Sequence, residues 1–326
     1  MKKNIKSFIH TFFMFVTGPG QDAMNSALRL SVVIPTYHRG EVLLDTVRML
    51  RGLSIPPDEI ILVDQTDTHE PGVESALRNQ SESGEFRWLR LERPSIPHAM
   101  NRGLLEARGA IVLFLDDDII PDDMLIEAHL QAHAESSVAV VAGRVLQPWD
   151  LEKDPTPDDG VFRFSGARRQ WIEDFMGGNF SVRRETALAL GGFDENFVQV
   201  AHWFEKDFAD RLKVRGIPIL FEPAACIRHL KIERGGIRSF GTHLKTVRPG
   251  YAVGSYYYLL RSPRIRHRIF TILLRPLRVI GTRHHLLHPW WIPPTLVAEL
   301  LAFFWALLLT AHGPRLIDGT GQGGGP

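Results

Sequence analysis

The sequence predicts an α/β protein, a doubly wound and mostly parallel sheet followed by a helical, membrane-associating C-terminal extension. Three observations predict it. Short apolar runs suited to buried strands alternate with stretches of helical period from Leu30 to Val145, polar and acidic residues gather just after those runs, and a basic, then aromatic, then apolar stretch follows residue 228. Such alternation implies right-handed crossovers and a ligand site beyond the carboxyl ends of the strands.

Leu30–Pro35 is the first strand, and Glu41–Leu53 repeats Leu43, Leu44, Val47 and Leu50 on one helical face. Ile60–Val63 arrives one βαβ unit later. Phe86–Leu91 alternates aromatic and basic residues, as a half-covered strand does, and Ser95–Arg108 reads as a helix ended by Gly109. Ala110–Leu115 then makes a buried strand that runs into Asp116-Asp117-Asp118, followed by a helix over Met124–Glu135 and a strand over Val138–Val145. Trp149–Gly160, rich in Pro and Asp, reads as a mobile surface loop near the site.

Composition narrows the class. With 326 residues, 44% hydrophobic and 23% charged, the chain builds its own core and is neither disordered nor a small stapled scaffold. Its one cysteine, Cys226, excludes an internal disulfide, a zinc ribbon and a CxxC redox site, and fits a cytoplasmic setting. The net charge of +1 hides an asymmetry: residues 228–283 hold thirteen basic residues against one acid, Glu233. That block suits a phosphate-rich partner, an anionic membrane or nucleic acid.

Its setting selects the membrane. Pro289, Trp290 and Trp291 follow, then Leu296–Leu309, apolar except for Glu299, which is the order of a cytoplasmic membrane interface. The run is shorter than the roughly 20 residues of a span and carries a central acid, so an interfacial or re-entrant helix is expected, with a buried helix of a soluble domain as the alternative. Nucleic acid is disfavoured, because the basic block adjoins an apolar run and not a recognition helix. At the other end Lys2, Lys3 and Lys6 precede the apolar Phe8–Val16, a second membrane-touching segment or a tail; cleavage is not expected there, for lack of a small-x-small pattern.

The chemistry centres on the Asp triplet. Three adjacent carboxylates at the end of a buried strand repel one another unless a cation sits among them, and all-oxygen ligands suit Mg²⁺ or Mn²⁺. In an extended segment Asp116 and Asp118 share a face while Asp117 points away. A solvated acidic turn capping the next helix is the alternative. Pro35, Thr36 and Asp64 end strands at the same sheet edge, where they would cradle a nucleoside.

Taken together these residues resemble a known family. Ser31-Val-Val-Ile-Pro-Thr-Tyr-His-Arg39, Glu59-Ile-Ile-Leu-Val-Asp64, Ala99-Met-Asn-Arg-Gly103, Leu115-Asp-Asp-Asp118, Gly177-Gly-Asn-Phe-Ser-Val-Arg-Arg-Glu185 and Gly191-Gly-Phe-Asp194 are similar, in order and spacing, to the motifs of family 2 glycosyltransferases over about residues 30–230. The resemblance implies a GT-A-like fold and an inverting, metal-dependent transfer from a nucleotide-sugar to a saccharide or lipid-linked acceptor. With the composition on either side of it, the chain is expected to divide into a tail (1–28) that could touch a membrane, a catalytic domain (29–230, with its nucleotide half over about 29–120 and its acceptor half over about 121–230), a basic and apolar membrane-associating region (231–318) and a Gly-rich, disordered tail (319–326).

Carried across by position, Pro35, Thr36, Tyr37, Arg39, Asp64, Gln65, Asn101, Arg102 and Asp117 would bind the donor. Asp116 and Asp118 would hold the metal, with His229 completing its shell. Glu205 takes the base position when the motif is anchored on Arg211, with Asp207 as its rival. Trp171, Gly177, Gly178 and Asn179 would shape the acceptor pocket. The Arg-rich 261–283 segment and the Trp and apolar run place such an enzyme at the cytoplasmic membrane face, where surface polysaccharide or glycolipid synthesis is expected. A DxD phosphohydrolase and an inactive membrane-attached scaffold are the rivals; nicotinamide binding is disfavoured, since no GxGxxG follows Ile34 or Val63.

Overall fold

β1 (Leu30–Thr36) lies between β2 (Glu59–Asp64) and β4 (Ile111–Leu115), parallel to both, and β3 (Arg87–Arg90) extends the parallel half beyond β2. The computed structural model describes residues 28–151, 161–240, 242–262 and 267–318. The apolar segment Phe8–Val16, most of the Trp149–Gly160 loop and the tail from residue 319 lie outside them.

Successive β1 residues point to opposite faces of the sheet. Val32 and Ile34 pack with Leu43, Val47 and Leu50 of α1 (Glu41–Arg51), whereas Val33 packs with Ala99, Met100 and Leu104 of α3 (Ile96–Glu106). Both faces of the sheet are therefore covered, which is why these strands read as continuous apolar runs. Gly103 lets α3 approach closely, since a β-carbon there would lie 2.2 Å from Val33 Cγ1. α3 ends at Glu106, before the expected stop at Gly109; Gly109 instead packs on β1, where a β-carbon would lie 2.7 Å from Arg29 O and Ser31 N. α2 (Pro71–Glu82) is one helix that hydrophobic period does not announce, because it buries only Val73 and Leu77.

Beyond β4 the order runs β8-β6-β9-β5, with β7 also paired to β9. The segments are β5 (Ile119–Pro121), α4 (Leu125–Ala134), β6 (Val140–Leu146), β7 (Gln170–Ile172), β8 (Asn179–Arg183), α5 (Arg184–Ala189), α6 (Phe204–Val214) and β9 (Ile219–His229). β6 and β9 run with the parallel half, while β5, β7 and β8 run against it. The sheet is mostly parallel by direction and mixed by pairing. β8 enters antiparallel between β4 and β6 because no α-helix lies between β6 and β8 among the described residues, and a parallel return needs such a crossover.

Four C-terminal helices follow: α7 (Val253–Arg261), α8 (Arg268–Ile280), α9 (Arg283–Leu287) and α10 (Ile292–His312). The fourteen-residue apolar run expected near residue 300 is the middle of a twenty-one-residue helix, opened by Pro293 and Pro294 and closed at Gly313. Tyr256, Tyr257 and Tyr258 of α7 belong to the same core as β4 and β8, together with Ala302 and Ala306 of α10.

Candidate active site

Strand register assembles the site. Leu115, the last residue of β4, pairs with Asn179, so Gly178 lies beside Asp116 and its carbonyl accepts from Asp116 N at 3.2 Å. On the other side Ile119 of β5 pairs with His229, the last residue of β9. Thr46 of α1 donates to the Asp117 carbonyl at 3.1 Å and pins the centre of the triplet.

The three carboxylates diverge as an extended segment requires. His229 Nε2 lies 3.1 Å from Asp118 Oδ1 and 3.7 Å from Asp116 Oδ2, and one ligand atom of each residue falls within 4.8 Å of the other two. Two carboxylates and an imidazole at that spacing suit a divalent cation. Burial raises the Asp118 carboxyl, but the His229 hydrogen bond and Arg39 bring it below its ordinary value. Enclosure pushes Asp116 up, and the Asp118 charge adds to that. Burial opposes protonation of His229, yet the bond to Asp118 and the charges of both carboxylates raise it.

Asp117 turns to Arg39, whose Nε lies 2.8 Å from Asp117 Oδ1 and whose Nη2 lies 3.3 Å from Asp118 Oδ2. Burial lifts the Asp117 carboxyl to about 7 against the pull of Arg39. The same guanidinium donates through Nη1 to the carbonyls of Ile232 and Arg234, and Ile232 N donates to Asp118 Oδ2. Residues 230–236 thus form a strap across the triplet, which Gly236 N closes on Tyr37 O, and the Tyr37 ring stacks on Phe240. A β-carbon on Gly235 would lie 2.3 Å from His38 O, so only glycine lets the strap come this close.

Glu205 faces the triplet from α6. The Gly177–Gly178 pair stands between them: a β-carbon on Gly177 would lie 3.1 Å from Glu205 Oε1, and one on Gly178 2.1 Å from Asp116 Oδ2. Burial raises the Glu205 carboxyl to about 7, backbone hydrogen bonds at Glu205 and Gly177 oppose this, and the Asp116 charge adds to it. Asp207, two residues on, points elsewhere, to Arg211 Nε at 2.9 Å and Arg261 Nη1 at 3.8 Å. Among the described residues, the non-glycines with positive φ are His38, Gln199, Ala201, Trp203 and Lys231. They flank Arg39, Glu205 and His229, and backbone strain of this kind gathers where a site must be held in shape.

The remaining expected residues separate. Pro35 and Thr36 end β1, and Thr36 is buried beside Asp117. Asp64 is fully buried with its oxygens already taken by Thr66 N, Trp88 Nε1 and His69 Nε2 at 2.6–2.9 Å, and Gln65 accepts from Ser95 N, so neither offers a free carboxylate or amide carbonyl to a base. Four expected residues are engaged elsewhere or lie apart from the carboxylates. Asn101 clasps the 192–195 turn, bonding Phe193 N and O and Glu195, and Arg102 pairs with Glu106 on its own helix. Asn179 is buried in the sheet, bonded to His129, Arg144 O and Ala225 O. Trp171 sits half-exposed on edge strand β7, four strands from β4. These side chains hold the frame or lie aside from the carboxylates; Gly177 and Gly178 are the expected acceptor residues that reach them.

Trp149 was not singled out by its sequence. It follows Gln147, whose Oε1 lies 3.3 Å from His229 Nδ1, and its half-exposed ring carries the Lys231 ammonium at 3.7 Å. The Pro- and Asp-rich loop it opens was the available signal.

Comparison with known families matches residues 31–190, from β1 through α5 and including the triplet, to the model of glycosyl transferase family 2. The chain belongs to that family. Among relatives of this family 2 glycosyltransferase, the glucosyl-dolichyl phosphate glucuronosyltransferase of Haloferax volcanii is 26% identical over 183 residues, 52% of this chain and 57% of that protein. The probable glycosyltransferase YdaM of Bacillus subtilis is 24% identical over 221 residues, covering 63% and 51%. The chain thus spans about half the length of the curated relatives it matches. The mannosyltransferase PcManGT from Pyrobaculum calidifontis, solved with GDP-Man and Mn²⁺, superposes with a TM-score of 0.53 at 22% identity over 88% of this chain and 79% of that one. The fold expected from the motifs, GT-A-like α/β, is the fold observed. Glu205 and His229 lie beyond the matched stretch, so their placement rests on register and packing.

Proposed function

We propose that this family 2 glycosyltransferase moves a sugar from a nucleotide-sugar donor to an acceptor hydroxyl with inversion, using Glu205 as base and a divalent cation at Asp116, Asp118 and His229. The observation that carries this reading is the placement of Glu205 and Asp116 against the adjacent Gly177 and Gly178, which brings a base and a cation site together. Mn²⁺ and a nucleotide-sugar in the PcManGT complex support the donor and metal assignments.

Glu205, with its carboxyl near 7, is poised to take a proton close to neutral pH. It would remove the acceptor hydroxyl's proton as that oxygen attacks the anomeric carbon. The carbon–oxygen bond to the diphosphate breaks as the new one forms, and a single attack inverts the centre. A cation held by Asp116, Asp118 and His229 would act as Lewis acid on the diphosphate oxygens. Arg39 and the 230–236 strap would close over the phosphates, and Tyr37 would flank the nucleoside.

The acceptor is a saccharide or a lipid-linked sugar at the cytoplasmic face of an anionic membrane, in surface polysaccharide or glycolipid synthesis. The basic 228–283 block, the apolar helix α10 and the dolichyl-phosphate chemistry in the name of the Haloferax relative support this.

Thermal stabilisation by a panel of nucleoside diphosphates, with and without Mn²⁺, tests the donor site, since a ligand that binds the native state raises its stability. Metal-dependent stabilisation by one nucleotide, lost in Asp118→Asn, is expected. No response from the folded wild type would overturn the reading and favour the scaffold or phosphohydrolase alternatives.

A further inference from the structure

The C-terminal helices are folded with their polarity reversed. On α10 the face against the protein is small or polar (Thr295, Ala298, Glu299, Ala302 and Ala306, all buried), while Leu296, Leu300, Leu301, Phe304 and Leu308 face outwards and are 36–63% exposed. A surface helix of a soluble domain shows the opposite arrangement. α8 buries none of its residues; Phe270, Leu273 and Leu277, 61–66% exposed, lie on the face opposite Arg268, Arg275 and Arg278.

A continuous apolar surface of this kind marks an interaction site. Its rim identifies the partner: exposed Lys245, Arg248, Arg268, Arg278 and Arg283 complement anionic headgroups, and the exposed Trp290 suits the headgroup level.

By length α10 could cross a bilayer, since its twenty-one residues reach about 30 Å. Its attachments forbid that. Two turns in, Glu299 accepts from Tyr256 Oη of α7 at 2.8 Å and pairs with Arg275 of α8 at 3.0 Å. Past its end the chain returns to the same domain: Asn196 donates to Gly313 O, Arg315 N to Asp194 Oδ1, and Ile317 N to Gly191 O. A crossing helix would strand residues 313–317 on the far side of the membrane.

α7 and the turn before it, beneath α10, grip α6 and the loop that leads into Glu205. Tyr258 donates to Asp210 of α6 at 2.9 Å, Ser255 Oγ lies 2.7 Å from His202 Nδ1, and β-carbons on Gly250 and Gly254 would lie 2.0 Å from Gln199 Oε1 and 2.6 Å from His202 O. One helical layer separates the apolar surface from the base-bearing loop.

We propose that the outward faces of α8 and α10 form a docking surface that enters one leaflet of an anionic bilayer, with α10 lying in the membrane plane. The surface sets Glu205 at the height of a headgroup-level hydroxyl, a consequence that rests on the transferase reading, whereas the docking itself does not.

The test uses the full chain, floated with phosphatidylcholine vesicles with and without phosphatidylglycerol. Wild type should float with the anionic vesicles, and Leu273→Glu/Leu277→Glu and Leu300→Glu/Phe304→Glu should each bind at least about tenfold more weakly. Unchanged flotation of both variants, or a wild type that ignores anionic vesicles, would overturn the proposal. In a Cys226→Ala background bound to sealed vesicles, His312→Cys should react with an impermeant maleimide as readily as Ser83→Cys on the exposed end of α2. Labelling of His312→Cys that appears only after detergent would show a crossing helix and overturn the in-plane placement. Nucleotide-dependent stabilisation, read on the same variants, should be unchanged. Flotation without any nucleotide response would remove the transferase reading and leave the docking surface standing.

Discussion

The carboxylate of Asp116 fills the space that a side chain on Gly178 would need, with Oδ2 2.1 Å and Cγ 2.5 Å from where its β-carbon would stand. Gly178→Ala must therefore turn Asp116 away from Asp118 and His229. The backbone bond from Asp116 N to Gly178 O can survive, so the sheet should persist. The expected outcome is at least about tenfold weaker Mn²⁺-dependent nucleotide binding, as for loss of one ligand group, with little change in the unliganded melting temperature. Calorimetric titration of metal and nucleotide checks it.

Glu205→Gln separates base from scaffold. Transfer should fall by about 10²–10⁴-fold with nucleotide affinity intact, the usual share of a general base. Asp207→Asn, which removes the carboxylate bonded to Arg211 and 3.8 Å from Arg261, should lower stability more than it lowers turnover. A sign follows for pH. The folded-state carboxyl titrates at about 7, above the ordinary value of 4.5, so its contribution to stability is complete below about 4.5 and is lost as pH rises through 7. In metal-free buffer Glu205→Gln should therefore gain melting temperature over wild type at pH 8 and little or nothing at pH 5. Equal differences at both values would refute burial as the cause.

Much of this was legible in the sequence because local pattern and global fold agree. The runs at Leu30, Ile60 and Ala110 read as buried strands since helices cover both faces, and the Asp triplet stood out as charge at the end of an apolar strand. What pattern could not carry was long-range register. That Gly177–Gly178 lies beside Asp116 follows from antiparallel pairing of β8 with β4, and nothing local to either strand encodes the pairing. Asn101 and Asn179 mislead for a related reason: a polar residue in a motif serves a buried hydrogen-bond network as well as it serves a ligand. Arg39 shows the converse, a charge that sequence placed with the donor and that also ties the 230–236 strap to the triplet.

That tie can be cut. Arg39→Gln removes the guanidinium that joins Asp117 and Asp118 to the Ile232 and Arg234 carbonyls. The strap then keeps the Leu230 N to Asp118 O and Ile232 N to Asp118 Oδ2 bonds at its start and the Gly236 N to Tyr37 O bond at its end, too few to hold a segment with two positive-φ glycines in one conformation. Hydrogen exchange at Gly236 and Ile232 should accelerate by at least about tenfold while β1 and β4 stay protected. If exchange there is unchanged, the strap is held by something other than Arg39.

Consecutive residues on a helix point about 100° apart, so Tyr256, Tyr257 and Tyr258 fan out to three buried carboxylates. Tyr256 donates to Glu299 of α10, Tyr257 to Asp194 in the turn after α5, and Tyr258 to Asp210 of α6. Burial first, and then each partner's charge, raises the Tyr256 and Tyr257 hydroxyls well above their ordinary value, so both remain donors across the physiological range. Tyr257→Phe leaves Asp194 with Arg261 and the Asn196 and Arg315 amides, one donor short inside the core. The loss should cost about 1–3 kcal/mol. Because Asp194 also anchors the chain returning from α10, protease cleavage near Gly313 should quicken in the same variant. Destabilisation without faster cleavage there would mean that the returning segment is held by Asn196, the Glu195 amide and the Gly191 carbonyl without Asp194.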